Sequence, residues 1–177
     1  AYYADSSYNN AINMANVLLD IDKLSNDLIE EARITKIRSS ICLKNWTVAQ
    51  SECAKLQHSQ TGNGSEALYR MAEIEYLKGD LEAAEKKVFE ILVKIAYEYW
   101  SVKSYILLGD IYADKGNTFQ AKHTYLSIVD NYEGEELRTI ALNKYNAVLQ
   151  AEEAQQRALQ QRQDMLQDQN SDIELGD

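Results

Sequence analysis

The chain of 177 residues contains no proline, and it has only two histidines, two cysteines and two phenylalanines. Without proline no ring interrupts a helix from within, and only seven glycines are left to punctuate the chain. Cys42 and Cys53 form neither a CxxC pair nor a disulfide framework. Both read as buried thiols acting as small hydrophobes. His58 and His123 have no partner at metal-ligand spacing, so no metal is expected. No glycine-rich phosphate loop occurs, and Gly62-Asn63-Gly64 reads as a turn between units. The acidic pairs Glu30-Glu31 and Glu135-Glu136 are sequence neighbours, which point in different directions on a helix and suggest no acid–base pair. These absences leave no catalytic residue, no cofactor site and no expectation of an enzyme. No apolar run reaches the ~18 residues that would cross a membrane. The chain opens Ala-Tyr-Tyr, with neither a methionine nor a signal peptide, which reads as a processed product or a piece of something longer.

Positive charge is also scarce. The net charge is −10, and residues 133–177 hold 4 basic and 10 acidic side chains, more than half of the excess. A chain without a basic stripe repels phosphate backbones, which excludes nucleic acid as the expected partner. The same acidity disfavours an anionic membrane surface.

What is present is helical spacing of apolar residues along nearly the whole chain, which predicts an all-α fold. Two helices are predicted at 102–115 and 118–132, with stripes of Tyr105, Leu108, Ile111, Tyr112 and of Phe119, Tyr125, Ile128, Val129. The turn between them, Lys115-Gly116-Asn117, supplies a left-handed helix end followed by a cap. Gly109 lies inside the first of these helices, where glycine costs about 1 kcal/mol relative to alanine. An offset of 37 places Ala72 under Gly109, Ala84 under Ala121, Ile91 under Ile128 and Gly79 under Gly116. Small residues therefore recur where paired helices approach, and Gly109 is expected to face Ala121.

The preceding unit spans 65–99, with Ser65 as the expected cap and a second helix running on toward Trp100. A weaker copy lies near 28–58 around Lys44-Asn45-Trp46, with Arg38 where Ala72 and Gly109 sit. The loop 58–66 separates these two copies, and residues 4–20 read as the second helix of an incomplete first repeat. Residues 135–150 provide a capping face. Residues 1–150 thus read as a repeat array. In 151–177 the stripe thins, and eight of the 21 residues from 150 to 170 are glutamine. That composition holds a helix but buries little, so a long C-terminal helix is expected to project or fray, with disorder from about residue 170.

The pattern Tyr105, Leu108-Gly109, Tyr112, Ala121, Tyr125, Ile128 resembles the tetratricopeptide repeat (TPR). Tyrosine stands for the usual tryptophan, and no proline closes the unit. Residues 99–132 and the helix after them are also similar to the C-terminal end of long bacterial TPR proteins. The resemblance implies an α-solenoid of antiparallel helix hairpins with a long C-terminal capping helix, acting as a scaffold that holds a peptide or partner protein in a concave groove. It maps the groove onto Glu66, Tyr69, Glu73, Tyr76 and Leu77, then Lys103, Ile106, Asp110, Ala113 and Asp114. Some TPR domains grip acidic chaperone tails with lysine and asparagine at these places, and that clamp is missing. Tyrosines with Glu73, Asp110 and Asp114 would suit a segment with basic and apolar residues. A bacterial periplasm or cell-envelope setting is implied, with the cytoplasm as the alternative. The alternative function is a structural element that self-associates through the C-terminal helix as a homo-oligomer.

Overall fold

A computed structural model describes residues 2–174, and among them it forms eight α-helices and no strand. They are α1 (Tyr2–Leu19), α2 (Asn26–Cys42), α3 (Trp46–Leu56), α4 (Gly62–Leu77), α5 (Leu81–Leu92), α6 (Glu98–Asp114), α7 (Thr118–Asn131) and α8 (Glu135–Glu174). Each helix packs on the next one in the chain. Beyond that, only α2 meets α4, α4 meets α6, and α6 meets α8. These four make one continuous row, while α3, α5 and α7 form a second row whose members do not touch. The all-α expectation holds.

Three hairpin turns share one geometry. Lys44, Gly79 and Gly116 take positive φ angles of 55°, 83° and 76°. The next residue in each, Asn45, Asp80 or Asn117, caps the following helix by accepting from the amide of Val48, Ala83 or Gln120. Its own N–H donates back to the carbonyl of Ser40, Glu75 or Tyr112. This is the left-handed helix end that satisfies otherwise orphaned carbonyls.

The turns also correct the register of the first copy. Lys44 aligns with Gly79 at an offset of 35, so Ile37, not Arg38, stands where Ala72 and Gly109 stand. On the second helices the same alignment joins Cys53, Val88 and Tyr125. The pairs are therefore Ile37 with Cys53, Ala72 with Val88, and Gly109 with Tyr125. As the first-row residue loses atoms, its second-row counterpart gains them, and all six positions are buried. A Cβ on Gly109 would lie 2.3 Å from the Tyr125 ring. The first atoms that a side chain at 109 would meet are thus those of Tyr125, a residue the spacing did not single out as the partner of Gly109.

Two hydrophobic clusters result, with α4 as their common wall. Ala67 and Ile74 join Ile34, Ile37 and Cys53, whereas Leu68, Tyr69 and Ala72 join the core that runs through α5, α6, α7 and α8.

Other boundaries differ from expectation for local reasons. Helix α4 begins at Gly62, because Thr61 is its cap and accepts from the Gly64 amide at 3.2 Å. Ser65, the expected cap, is buried. A Cβ on Gly64 would meet the Ser59 carbonyl oxygen at 2.1 Å, so this glycine admits the preceding chain and belongs to a helix, not a turn. Helix α5 stops at Leu92, and Trp100 sits in the first turns of α6. Cys42 is exposed, whereas Cys53 is buried and its thiol is pushed up to about 12 by desolvation. The backbone of α8 stays helical to Glu174, beyond the expected onset of disorder near residue 170, because no glycine or proline lies between Gly134 and Gly176. Residues 175–177 lie outside the described residues.

The size exchange predicts coupled mutations. Gly109→Ala should destabilise the protein by about 1–3 kcal/mol through overpacking against the Tyr125 ring. In a Tyr125→Val background the same change should cost little, giving a coupling energy of about 1–2 kcal/mol in urea unfolding. Strict additivity would show that the two positions do not share one space.

Candidate functional site

The ten groove positions do not form one open channel. Their acids and tyrosines fall into two networks with an adjoining basin, and most of their charge is already partnered. The first joins α2, α4 and α6. Glu66 is 1% exposed and accepts from Arg38 through both oxygens, at 2.8 and 2.5 Å. Arg70, four residues further along α4, donates to Glu66 at 3.0 and 3.1 Å and to Glu73 at 2.6 Å. The Tyr69 hydroxyl donates to Glu73 at 3.1 Å. Burial pushes the Glu66 carboxyl up, but the Arg38 hydrogen bond and both guanidinium charges outweigh it and hold the carboxyl below its usual range.

Beside this network stands an aromatic and cationic basin. The Tyr69 and Trp100 rings lie 5.4 Å apart, and Tyr99 meets Trp100 edge-on. The Lys103 ammonium lies 5.3–5.7 Å from the centres of all three rings. The Arg70 guanidinium lies over Tyr69 and Trp100. Among the described residues Lys103 makes no ion pair within 4.0 Å. Desolvation, then the nearby Arg70 charge, lowers its pKa from the ordinary lysine value. Such stacked cations are favourable over aromatic faces, but this ammonium still lacks a close counter-charge.

The second network joins α4, α6, α7 and α8. Asp110 accepts from the Tyr125 hydroxyl at 2.6 Å and from the Lys144 ammonium at 2.7 Å. Asp114 is exposed and accepts from the Tyr76 hydroxyl at 2.7 Å. Burial and that hydrogen bond raise the Tyr76 pKa, so Tyr76 keeps its proton and donates. Ile106 is buried in the core and offers no surface.

The acids that pointed to a basic ligand are thus engaged. Glu66 and Glu73 hold Arg70, Asp110 holds Lys144, and Asp114 alone faces solvent. Sequence reasoning missed Arg38, Arg70, Tyr99, Trp100 and Lys144. The turn alignment was the available signal for Arg38, which falls in register with Glu73 and Asp110. Arg70 was legible as a partner four residues after Glu66. None of the ten groove residues lines the cavity of about 460 Å³ that opens between α5 and α7. Among the described residues, no group of three histidine, cysteine or carboxylate side chains is placed to hold a metal ion, and no helix is long and apolar enough to cross a membrane.

The Glu66 hub predicts a pH-dependent penalty. A carboxyl depressed by folding contributes stability above its unfolded value, about 4.3, and that stability is lost as pH falls through the lower folded value. Glu66→Gln should cost about 3 kcal/mol at neutral pH, since it leaves Arg38 and Arg70 without their shared charge. The penalty should shrink toward pH 3, where the wild-type carboxyl is itself protonated. Urea titrations at several pH values measure this, and a penalty independent of pH would remove the ion pair as its cause.

No protein-family model, curated protein or solved structure matches the chain.

Proposed function

We propose that this chain is a non-enzymatic scaffold that holds a peptide or partner-protein segment across α2, α4 and α6. The observation that carries this reading is the basin of Tyr69, Tyr99, Trp100 and Lys103, in which an ammonium is partly desolvated without a close carboxylate. The rings offer broad apolar faces at low conformational cost. A surface without a deep cavity suits an extended segment that touches several helices better than a small molecule. The recurrent hairpin turns and the row formed by α2, α4, α6 and α8 support a TPR-like solenoid. Glu73, Glu66 and Glu136 act on the Lys103 ammonium only from beyond 4.0 Å, so the favoured segment brings an acidic side chain into direct contact with it beside an aromatic or aliphatic one. A bacterial envelope setting for a larger TPR parent rests on the sequence resemblance alone.

Selection from a random displayed-peptide library tests the reading without presuming a ligand. The wild type should enrich sequences with an acidic residue beside a large apolar one. Lys103→Gln should lose that enrichment by at least tenfold while keeping a cooperative melting transition and the wild-type helix content. Enrichment of basic peptides, or the same peptides from both proteins, would contradict the proposed site.

A further inference from the structure

The cavity between α5 and α7 lies on the opposite row from the basin. Its floor is Tyr105, Leu108 and Tyr112 of α6, and its walls are Phe89 of α5 and Phe119, His123, Thr124 and Ser127 of α7. Phe119 is 75% exposed, and Phe89 and Tyr105 are exposed as well. The sequence stripe placed Tyr105 and Phe119 in the core, and the structure places them here instead.

The same register positions one hairpin earlier have the opposite character. Tyr112, Phe119, His123, Thr124 and Ser127 correspond to Glu75, Glu82, Lys86, Lys87 and Glu90 at the offset of 37. There the charges pair with neighbours, as in Lys78 with Glu75 and Lys87 with Glu90. The last groove has exchanged a solvated, charged surface for aromatic and uncharged ones. Exposed aromatic patches of this kind mark interaction sites.

Helix α8 supplies a segment that fits. Lys122 of α7 pairs with Glu152, the last ion pair that ties α8 to the body among the described residues. Beyond it Leu159, Met165 and Leu166 are exposed. A continuous helix cannot fold back to cover them, and the 22 residues after Glu152 extend it by ~33 Å at 1.5 Å per residue. Residues 154–163 carry Arg157 and Arg162 and no acid, which complements a chain of net charge −10. The groove has Glu98 at its continuation past Tyr105.

We infer that the projecting half of α8 from one copy docks in the α5–α7 groove of a second copy, with the exchange made in both directions. Two identical surfaces then bury each other around a two-fold axis, in the mode of an amphipathic helix laid in a groove. This surface is separate from the basin, so the inference stands without the peptide-binding reading.

Sedimentation of the whole chain over a range of concentrations tests it. The wild type should dimerise. Phe89→Asp with Phe119→Asp should weaken the dimer at least tenfold, and so should Leu159→Asp with Met165→Asp. All four residues are exposed in the single chain, so circular dichroism should show unchanged helix content and melting. Mixing the two variants should restore a heterodimer, since one keeps an intact helix and the other an intact groove. A wild type that stays monomeric to its solubility limit overturns the inference. So does a dimer that survives Phe89→Asp with Phe119→Asp, which is the result if two α8 helices pair with each other, or one that survives Leu159→Asp with Met165→Asp, which is the result if α8 takes no part.

Discussion

The contact of Tyr125 with Gly109 is the constraint on which the C-terminal half of the molecule depends. Removing the side chain at 109 lets the ring lie against the α6 backbone, and the ring then delivers its hydroxyl to Asp110. Asp110 in turn holds Lys144 of α8. One steric concession thus joins α6, α7 and α8. Glycine in a helix is unfavourable by about 1 kcal/mol, a cost that burial of a tyrosine ring and two charge-assisted hydrogen bonds offset. The same position is occupied by alanine in the middle hairpin and isoleucine in the first, where smaller partners stand opposite. The interface between rows therefore keeps its spacing while its composition changes.

Charge completes what packing begins. Glu52 and Glu66 are both buried, and each is surrounded by cations: Arg33, Lys36 and Lys55 for one, Arg38 and Arg70 for the other. Burying a carboxylate is costly unless it is paired and hydrogen-bonded, so these clusters fix how α2 meets α3 and α4. Pairing also determines which side chains of this surface keep a charge without a close partner. Glu66, Glu73 and Asp110 are occupied by arginine and lysine, Asp114 accepts from Tyr76 and faces solvent, and the basin beside them is lined by Tyr69, Tyr99, Trp100 and the half-buried Lys103.

The helices, the three turns and the long α8 were legible because they follow from local rules: apolar spacing, a left-handed turn residue and a capping Asn or Asp. Tertiary consequences were not. Periodicity put Tyr105 and Phe119 on apolar stripes, but no helix covers that side of α6 and α7. Small residues at 109 and 121 suggested a mutual contact, whereas the ring one turn beyond Ala121 fills the gap. The groove acids were read by position alone, and their partners come from other helices at separations such as 28 for Arg38 with Glu66 and 34 for Lys144 with Asp110. A single register error of one residue hid Arg38, because the first hairpin has Lys44 where the others have glycine.

The claim that the three hairpins share one interface with exchanged side-chain sizes is tested most directly by moving the last pair into the first hairpin. Cys53→Tyr alone places a ring against Ile37 in a closely packed core and should abolish the cooperative thermal transition. Ile37→Gly together with Cys53→Tyr should restore that transition in scanning calorimetry, with a melting temperature above that of either single variant. A double variant no better than Cys53→Tyr alone would contradict the account, because the two positions would then not face one another across the hairpin.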